Sequence, residues 1–278
     1  MLIDAHAHLV TDEPGYPHLP GASPNALMPV ERLLEALRDN GADAAIAVQR
    51  AHVYGFDNSY VLDAAARHPD RVRAMCVIDG QAPDAVGTVH RLAERGAVAI
   101  RLTAPGGDQH GGPAGTGWFA GPEARAVWAA AADTGLSMCL HIYRWNSAEV
   151  LRGLPAVLDA VPGVPVVLDH IAAVDVTGPP AGAEPLLALT DHEQVHVKIT
   201  TLNLARFDDP ARPVDWSVAR FGASRVLWGS DVTQTRGEYA GMVATARRAV
   251  AGLSAADATA VLGGTAARLY GLRPATAG

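Results

Sequence analysis

The sequence predicts a (β/α)8 barrel, and three observations indicate this fold class. Eight short runs rich in β-type residues recur along the 278 residues, and most are followed by a stretch with apolar residues at helical spacing. Hydrophobic residues make up 49% of the chain and charged residues 18%, which is typical of a globular protein with a substantial core. The length suits one barrel, since such barrels have about 250 residues. We therefore expect a single domain over residues 1–278.

The predicted strands alternate with predicted helices along the whole chain. In order, the strands are LIDAHAH (2–8), ADAAIAVQ (42–49), RVRAMCVI (71–78), AVAIRL (97–102), LSMCLHI (136–142), VPVVLDH (164–170), VHVKIT (195–200) and RVLWGSD (225–231). The helices between and after them are VERLLEALRDNG, YVLDAAARHPD, AVGTVHRLAERG, EARAVWAAAADTG, LPAVLDAVPG, LLALTDHEQ, DWSVARFG and a stretch from Tyr239 onward. Several of these end at Gly, Asn or Pro, which stop helices. A doubly wound sheet is the alternative fold, but it needs a glycine-rich turn after strand one, and DAHAHLV has none.

Polar residues end several of the predicted strands. Residues two apart on a strand share a face, so Asp4, His6 and His8 project the same way, and both imidazoles could grip one ion. Active sites of (β/α)8 barrels lie at the carboxyl ends of the strands. We therefore expect one rim to gather side chains from distant parts of the sequence, namely His8, His141, His170 and Asp231.

Charge and composition narrow the classes of function. The chain has 22 Lys and Arg against 29 Asp and Glu, a net charge of −7, which argues against the basic surface that nucleic acids require. No apolar run reaches the length of about 18 residues that a membrane span needs, and no signal peptide precedes strand one. Cys76 and Cys139 lie in apolar runs, as reduced core thiols do. We expect a cytoplasmic protein that binds neither nucleic acid nor membrane, and a homodimer is a possible assembly.

At these residues the sequence resembles the amidohydrolase superfamily, in its amidohydrolase-2 branch of lactonases and non-oxidative decarboxylases. The shared motif is H-x-H on strand one, a His on each of strands five and six, and an Asp on strand eight, here His6, His8, His141, His170 and Asp231. The stretch AVQRAHVYGFDNSYVLDAAARHPDRVRAMCVID, together with AIRLTAP, VLDHIA, VLWGSD and LGGTAARLYGL, is similar to the subgroup of dicarboxylate and sugar lactonases. The resemblance covers nearly the whole chain.

The resemblance implies a metal-dependent hydrolase that opens a lactone or related cyclic ester of a small carboxylated substrate. It implies that His6, His8, His141 and Asp231 hold one divalent ion, zinc in the first place and manganese in the second. It also implies that Asp231 activates water while His170 assists proton transfer. Strand four carries Arg101 and no Lys, so a second ion bridged by a carboxylated lysine is not expected.

Substrate-binding residues are expected on the same rim. Arg101 shares its strand face with two small alanines and offers guanidinium donors to a carboxylate, with a structural ion pair as the alternative. Further candidates for substrate contact are Tyr54, Tyr143, Arg144, Trp118 and Arg236. The Gly-rich segment 103–121 is expected to be a lid or a loose insertion. Lys198, the only lysine, is expected to be a surface amine or a substrate contact.

Two departures from the pattern of the subgroup leave the substrate open. Val232-Thr233-Gln234 follows WGSD where the lactonases usually carry Trp-Pro-His. Tyr143-Arg144-Trp145 follows strand five where an acidic or small residue is usual. The alternatives are therefore a non-oxidative decarboxylase that uses the same site, a metal-independent lactonase, and a barrel that binds a small molecule without converting it.

Overall fold

Eight strands alternate with helices in a computed structural model that describes residues 1–104, 118–119, 121–176 and 182–272. The strands are β1 (Ile3–His8), β2 (Ala44–Val48), β3 (Val72–Val77), β4 (Ala97–Thr103), β5 (Ser137–His141), β6 (Val166–Leu168), β7 (Val195–Thr200) and β8 (Val226–Gly229). The longer helices are α1 (Val30–Asp39), α3 (Ser59–Arg67), α4 (Ala85–Glu94), α5 (Pro122–Thr134), α6 (Ser147–Ala160), α9 (Ala211–Phe221) and α10 (Tyr239–Ala249). The shorter ones are α2 (Ala51–Tyr54), α7 (Glu184–Leu187), α8 (Thr201–Leu204), α11 (Ala255–Thr259) and α12 (Thr265–Tyr270), with a π-helical turn at Ala260–Gly264.

The strands form one sheet in sequence order, β1 to β8. Each described pairing is parallel, for example Ile3 with Ala44 between β1 and β2. Val232, three residues after the end of β8, also reaches β1, through a parallel bridge to Ala7. Parallel strands in sequence order, alternating with helices and with the last strand against the first, are the arrangement of a (β/α)8 barrel, so the predicted fold class is confirmed.

The helix boundaries follow from local chemistry. Helix α5 begins with Pro122, whose missing N–H is not needed at that position, and it stops at Gly135, which takes the left-handed conformation with φ of 71°. Helix α1 is amphipathic, because Val30, Leu33 and Leu37 are buried while charged residues cover its outer side. Helix α9 likewise buries Val214 and Phe221 and exposes Arg220, as the 3.6-residue period in the sequence predicts.

Strands β6 and β8 end earlier than the sequence predicts. The predicted sixth strand reaches His170, but β6 stops at Leu168 and His170 has φ of 54°. The predicted eighth strand reaches Asp231, but β8 stops at Gly229 and Asp231 has φ of 55°. A strand cannot continue through a residue with positive φ, so both residues lie in turns that follow the strands rather than at strand ends.

The chain divides into two compact units. The first unit comprises Met1–Val77 and Ile199–Gly278, and the second unit comprises Ile78–Lys198. The single domain over residues 1–278 stays a prediction. Within the described residues, no helix combines the length and the apolar character that crossing a membrane requires.

Candidate active site

Strand β1 carries three polar side chains on one face, as its period of two predicts. Asp4 and His6 have no exposed surface and His8 is 2% exposed. The other face of β1 carries Ile3, Ala5 and Ala7, which are buried in the apolar core. A carboxyl group and two imidazoles buried together on a core strand cost free energy unless they find polar partners. The first unit supplies those partners from β2 and from the turn after β8.

His6, His8 and Asp231 converge on one point. The Nε2 atoms of the two histidines are 3.3 Å apart, and Asp231 Oδ1 lies 3.3 Å from His8 Nε2 and 3.7 Å from His6 Nε2. A tetrahedral zinc ion with bonds of about 2.0–2.1 Å separates its ligand atoms by about 3.4 Å. The three side chains are buried and their ligand atoms all lie within 4.8 Å of one another. The donor set therefore fits a single small divalent cation.

The partner of His8 orients its imidazole for that role. His8 Nδ1 lies 2.8 Å from the backbone oxygen of Val48 at the end of β2. A carbonyl oxygen can only accept, so Nδ1 carries the proton and a neutral His8 presents the lone pair of Nε2 to the convergence point. Metal-binding histidines commonly have a second partner of this kind, which fixes both the tautomer and the ring orientation.

Asp4 ties β1 to the turn after β8. Its Oδ1 accepts hydrogen bonds from the backbone N–H of His6, at 3.0 Å, and from that of Ser230, at 2.8 Å. Burial raises the pKa of Asp4 above its usual value, although the hydrogen bonds from Ser230 and His6 act in the opposite direction. Asp4 thus holds the backbone at His6 and at Ser230, and Ser230 is the residue directly before Asp231.

The turn that carries Asp231 depends on Gly229. A Cβ atom at Gly229 would lie 2.8 Å from the backbone nitrogen of His6 and still closer to its Cβ, so β1 and β8 approach each other only because this side chain is absent. Asp231 has φ of 55° and its N–H donates to the His6 carbonyl at 2.8 Å. Thr235 N–H donates to the Asp231 carbonyl at 2.7 Å and closes the turn. Non-glycine residues in the left-handed region are most common at functional sites.

The second unit contains a buried cluster of charges that joins β4, β7 and the end of β6. Asp169 Oδ2 accepts from Arg101 Nε at 2.7 Å, and its Oδ1 pairs with Lys198 Nζ at 2.9 Å. The Arg101 side chain is 5% exposed, and those of Lys198 and Asp169 have no exposed surface. The expectation of a surface amine at Lys198 is therefore wrong, because this lysine is completely buried against a carboxylate. For Arg101, the predicted alternative of a structural ion pair is present in the structure.

Cys139 packs against this cluster. Its Sγ lies 4.0 Å from Lys198 Nζ. Burial in the first place, and the Asp169 charge in the second, raise the pKa of the Cys139 thiol to about 12. Cys76 and Cys139 are both free and buried, as the sequence predicts. Neither has the exposed thiolate of a nucleophile.

His141 and His170 lie together in the second unit. Their ring centroids are 5.4 Å apart, and the Tyr143 ring lies 4.6 Å from that of His141. Tyr143 stacks on Trp145, with an interplanar angle of 10° and 6.4 Å between centroids, and Trp145 is 44% exposed. The structure thus brings together two predicted site residues, and a pair of flat rings follows them. The inclusion of His141 in the metal site stays a prediction.

The other predicted substrate contacts have different surroundings. Tyr54 is buried, and its hydroxyl accepts from Thr11 N–H at 2.9 Å and donates to the Thr11 carbonyl at 3.2 Å, within the loop after β1. Arg236 is exposed and lines a cavity of about 530 Å³ in the first unit. Arg144 is also exposed.

Only part of the Gly-rich segment 103–121 is described. Residues 105–117 and 120 lie outside the described residues. The Trp118 ring covers Gly80 so closely that a Cβ atom there would lie 2.5 Å from it. Phe119 is buried edge-on against Trp128, with ring centroids 6.1 Å apart.

Sequence reasoning missed Asp169. It stands in VLDH directly before His170, and a first signal was a carboxylate at the end of an apolar strand. Lys198 gave a second signal, because a lone lysine inside the β-type run VHVKIT requires a buried anion if the strand is covered on both faces. These two signals together predict an ion pair between β6 and β7.

Comparisons with protein families and with solved structures identify proteins that are similar to this chain. A sequence profile of the amidohydrolase family matches residues 3–272. Among solved structures, a Pseudomonas putida protein provisionally named a 2-pyrone-4,6-dicarboxylic acid hydrolase matches with a TM-score of 0.77 and 24% identity over 97% of each chain. A Burkholderia multivorans amidohydrolase with bound zinc matches with a TM-score of 0.76 and 19% identity, over 98% of this chain and 100% of that one.

A 2,6-dihydroxybenzoate decarboxylase from Rhizobium also shares the fold. Its TM-score is 0.72 at 15% identity, over 97% of this chain and 98% of that one. At such identities a solved structure shows the fold and not the reaction. Hydrolases and decarboxylases are both similar to this chain, so its reaction must be argued from its own residues.

Proposed function

The chain belongs to the amidohydrolase family, and from that premise we propose that it is a metal-dependent hydrolase that opens a lactone or related cyclic ester of a small carboxylated substrate. The observation that carries the proposal is the convergence of His6, His8 and Asp231, buried and spaced like the ligands of one tetrahedral ion. An arrangement of this kind serves hydrolysis, because water and a carboxylate base are needed beside each other.

In this proposal His6, His8 and Asp231 hold the ion, zinc in the first place, and the resemblance adds His141 as a further ligand. When bound, such an ion would act as a Lewis acid and would lower the pKa of water to about 7. The Val48 carbonyl keeps His8 in the tautomer that can bind the ion. Gly229 and the turn after β8 keep the Asp231 carboxylate within reach of both histidines.

Asp231 accepts the proton of the attacking water. Its carboxylate is 2% exposed, and the left-handed turn with its hydrogen bond to the His6 carbonyl fixes its direction. His170 in its protonated form transfers a proton to the leaving oxygen and is left neutral, since imidazole changes its charge near neutral pH.

The proposed substrate carboxylate pairs with arginine. Arg101 is the first candidate, through the terminal amino groups of its guanidinium, because its Nε is engaged by Asp169. Arg144 and Arg236 are exposed candidates, and Tyr143 and Trp118 supply ring surface. For Tyr54, the two hydrogen bonds to Thr11 favour a role in holding the loop after β1.

A non-oxidative decarboxylase is the second candidate function. The observation that favours it is the stacked pair Tyr143 and Trp145 next to His141, since flat rings bind an aromatic acid. The 2,6-dihydroxybenzoate decarboxylase from Rhizobium shares the fold. A decarboxylase protonates a ring carbon and needs no water in the reaction, which makes the two functions separable by isotope.

The deciding experiment is a substrate panel in ¹⁸O-labelled water. Carboxylated pyrones, muconolactones and sugar lactones are assayed beside hydroxybenzoates, with protein purified without chelators and with the chelated protein in parallel. Ring opening with label in the new carboxylate, lost on chelation and restored by zinc, is the expected result. Carbon dioxide release without label in the product overturns the hydrolase. Full activity after chelation, with no metal by elemental analysis, establishes a metal-independent lactonase instead.

A further inference from the structure

The segment after β6 adopts a backbone that L-residues avoid. His170, Ile171, Ala172 and Ala173 have φ of 54°, 56°, 52° and 57° in succession, and none of them is glycine. Side chains clash with the backbone in the left-handed region, so non-glycine residues visit it singly rather than in runs. A run of four persists only where the surrounding structure determines it fully.

Two independent sets of contacts hold this left-handed turn. At its start, the Asp169 carboxylate is gripped on both oxygens, by Arg101 Nε at 2.7 Å and by Lys198 Nζ at 2.9 Å. In its middle, the buried Ser147 hydroxyl donates to the Ala172 carbonyl at 2.7 Å. The first set comes from two strands, and the second from the first turn of α6.

These contacts have a consequence for His170. The residue lies between Asp169 and Ala172, and its imidazole lies edge-on to that of His141, with 5.4 Å between the ring centroids. A residue with φ of 54° directs its side chain differently from one that continues a strand, so loss of the turn moves the ring away from His141. The side chain depends on backbone that its neighbours hold.

We propose that Asp169, held by Arg101 and Lys198, and Ser147 are positioning residues that impose the left-handed turn and thereby set the His170 imidazole against His141. The role of His170 in proton transfer rests on the proposed function. The position of its imidazole and the conformation of the turn do not depend on that function. The sole lysine of the chain is thus assigned a place in the active-site scaffold rather than in the core alone.

The test compares three variants of the full chain, without substrate and after chelation. Ser147→Ala removes the hydrogen bond to the Ala172 carbonyl and is expected to fold. Lys198→Met removes one of the two cations on Asp169. Val167→Ala is the matched control: it opens a cavity at a fully buried position of β6, two residues before Asp169, and its apolar side chain makes none of the ion pairs or hydrogen bonds of either set.

Two readouts separate positioning from stability. Hydrogen exchange is followed at the amide of Val174, which donates to the Ile171 carbonyl at 3.0 Å and so reports closure of the turn. The ring signals of ¹⁵N-labelled His170, identified with His170→Gln, report the position of the imidazole. Ser147→Ala and Lys198→Met are expected to speed exchange of Val174 by about tenfold or more and to move the His170 signals. Val167→Ala is expected to lower Tm while the His170 signals stay in place.

The proposal is overturned if Ser147→Ala folds with the exchange of Val174 and the His170 signals of the wild type. It is also overturned if Val167→Ala moves those signals as far as Ser147→Ala does, since general destabilisation then explains the effect. If Lys198→Met does not fold, Ser147→Ala alone decides. No step uses a substrate, so failure to find a lactone that the protein opens sinks the proposed function and leaves this result standing.

Discussion

Replacing Gly229 by alanine tests whether close contact between β1 and β8 builds the candidate metal centre. The added Cβ atom would lie 2.8 Å from the His6 nitrogen and 3.1 Å from its Cα. Ordinary contacts of a Cβ atom begin at 3.4 Å, so the two strands must separate by about 0.6 Å at the nitrogen, which is 3.4 less 2.8, and by more at the His6 Cβ atom. His6 is on one side of that contact, and Asp231 follows two residues after the other.

The size of the expected loss of zinc affinity follows from the distances between the ligand atoms. Asp231 Oδ1 is already 3.7 Å from His6 Nε2, against about 3.4 Å for an ideal tetrahedral pair, so a further separation takes one donor out of reach. We expect zinc affinity to fall about 10- to 100-fold, the range for changes that displace ligands from outside the metal shell. Overpacking is expected to lower the free energy of unfolding by about 1–3 kcal/mol. For a chain of this size this corresponds to a drop in Tm of roughly 2–12 °C.

The assay is competition for zinc against a chromophoric chelator, with thermal unfolding of the chelated protein beside it. Gly241→Ala is the control, because it adds the same methyl group within the same unit, in α10, with nothing within 4 Å of the new atom. It is expected to bind zinc like the wild type and to gain about 0.5–1 kcal/mol of stability from helix propensity. A Gly229→Ala protein with the zinc affinity and Tm of the wild type would refute the reasoning, because β1 and β8 could then part without moving the donors.

Three further predictions follow from single groups. Asp231→Asn is expected to keep the fold, because its backbone hydrogen bond to His6 remains, and to lower kcat about 100-fold or more on whichever lactone the panel identifies; near-normal turnover would move the base elsewhere. For Asp4, burial raises the pKa of the folded state above 3.8. The protonated carboxyl therefore contributes stability below pH 3.8, and this contribution is lost as the pH rises through the pKa of the folded state. The Tm of Asp4→Asn minus the Tm of the wild type, both measured in chelator, should therefore increase from acid to neutral pH. A difference that stays constant with pH contradicts this. Cys76 and Cys139 should both resist a thiol reagent at mildly alkaline pH until the chain is unfolded, and rapid labelling of either would contradict their burial.

The strand order could be predicted from the sequence because it depends on local patterns. Alternating β-type runs and amphipathic helices need a parallel sheet with both faces covered, and little else satisfies them. The placement of Asp4, His6 and His8 on one face of β1 followed from the two-residue period of a strand alone. The ends of β6 and β8 could not be predicted, because nothing in VLDH or WGSD marks a non-glycine residue for positive φ.

The two turns that broke the strand predictions are also where sequence reasoning placed catalytic residues. His170 and Asp231 have nearly the same φ, 54° and 55°, and each follows a buried strand. Both turns are held by contacts that local sequence does not encode: Asp169 meets Arg101 across 68 positions, and Ser230 meets Asp4 across 226. A strained backbone is retained where long-range contacts determine it and where a side chain must leave the strand direction. The departure from strand geometry therefore supports a functional role for both residues, independently of the sequence motif that first singled them out.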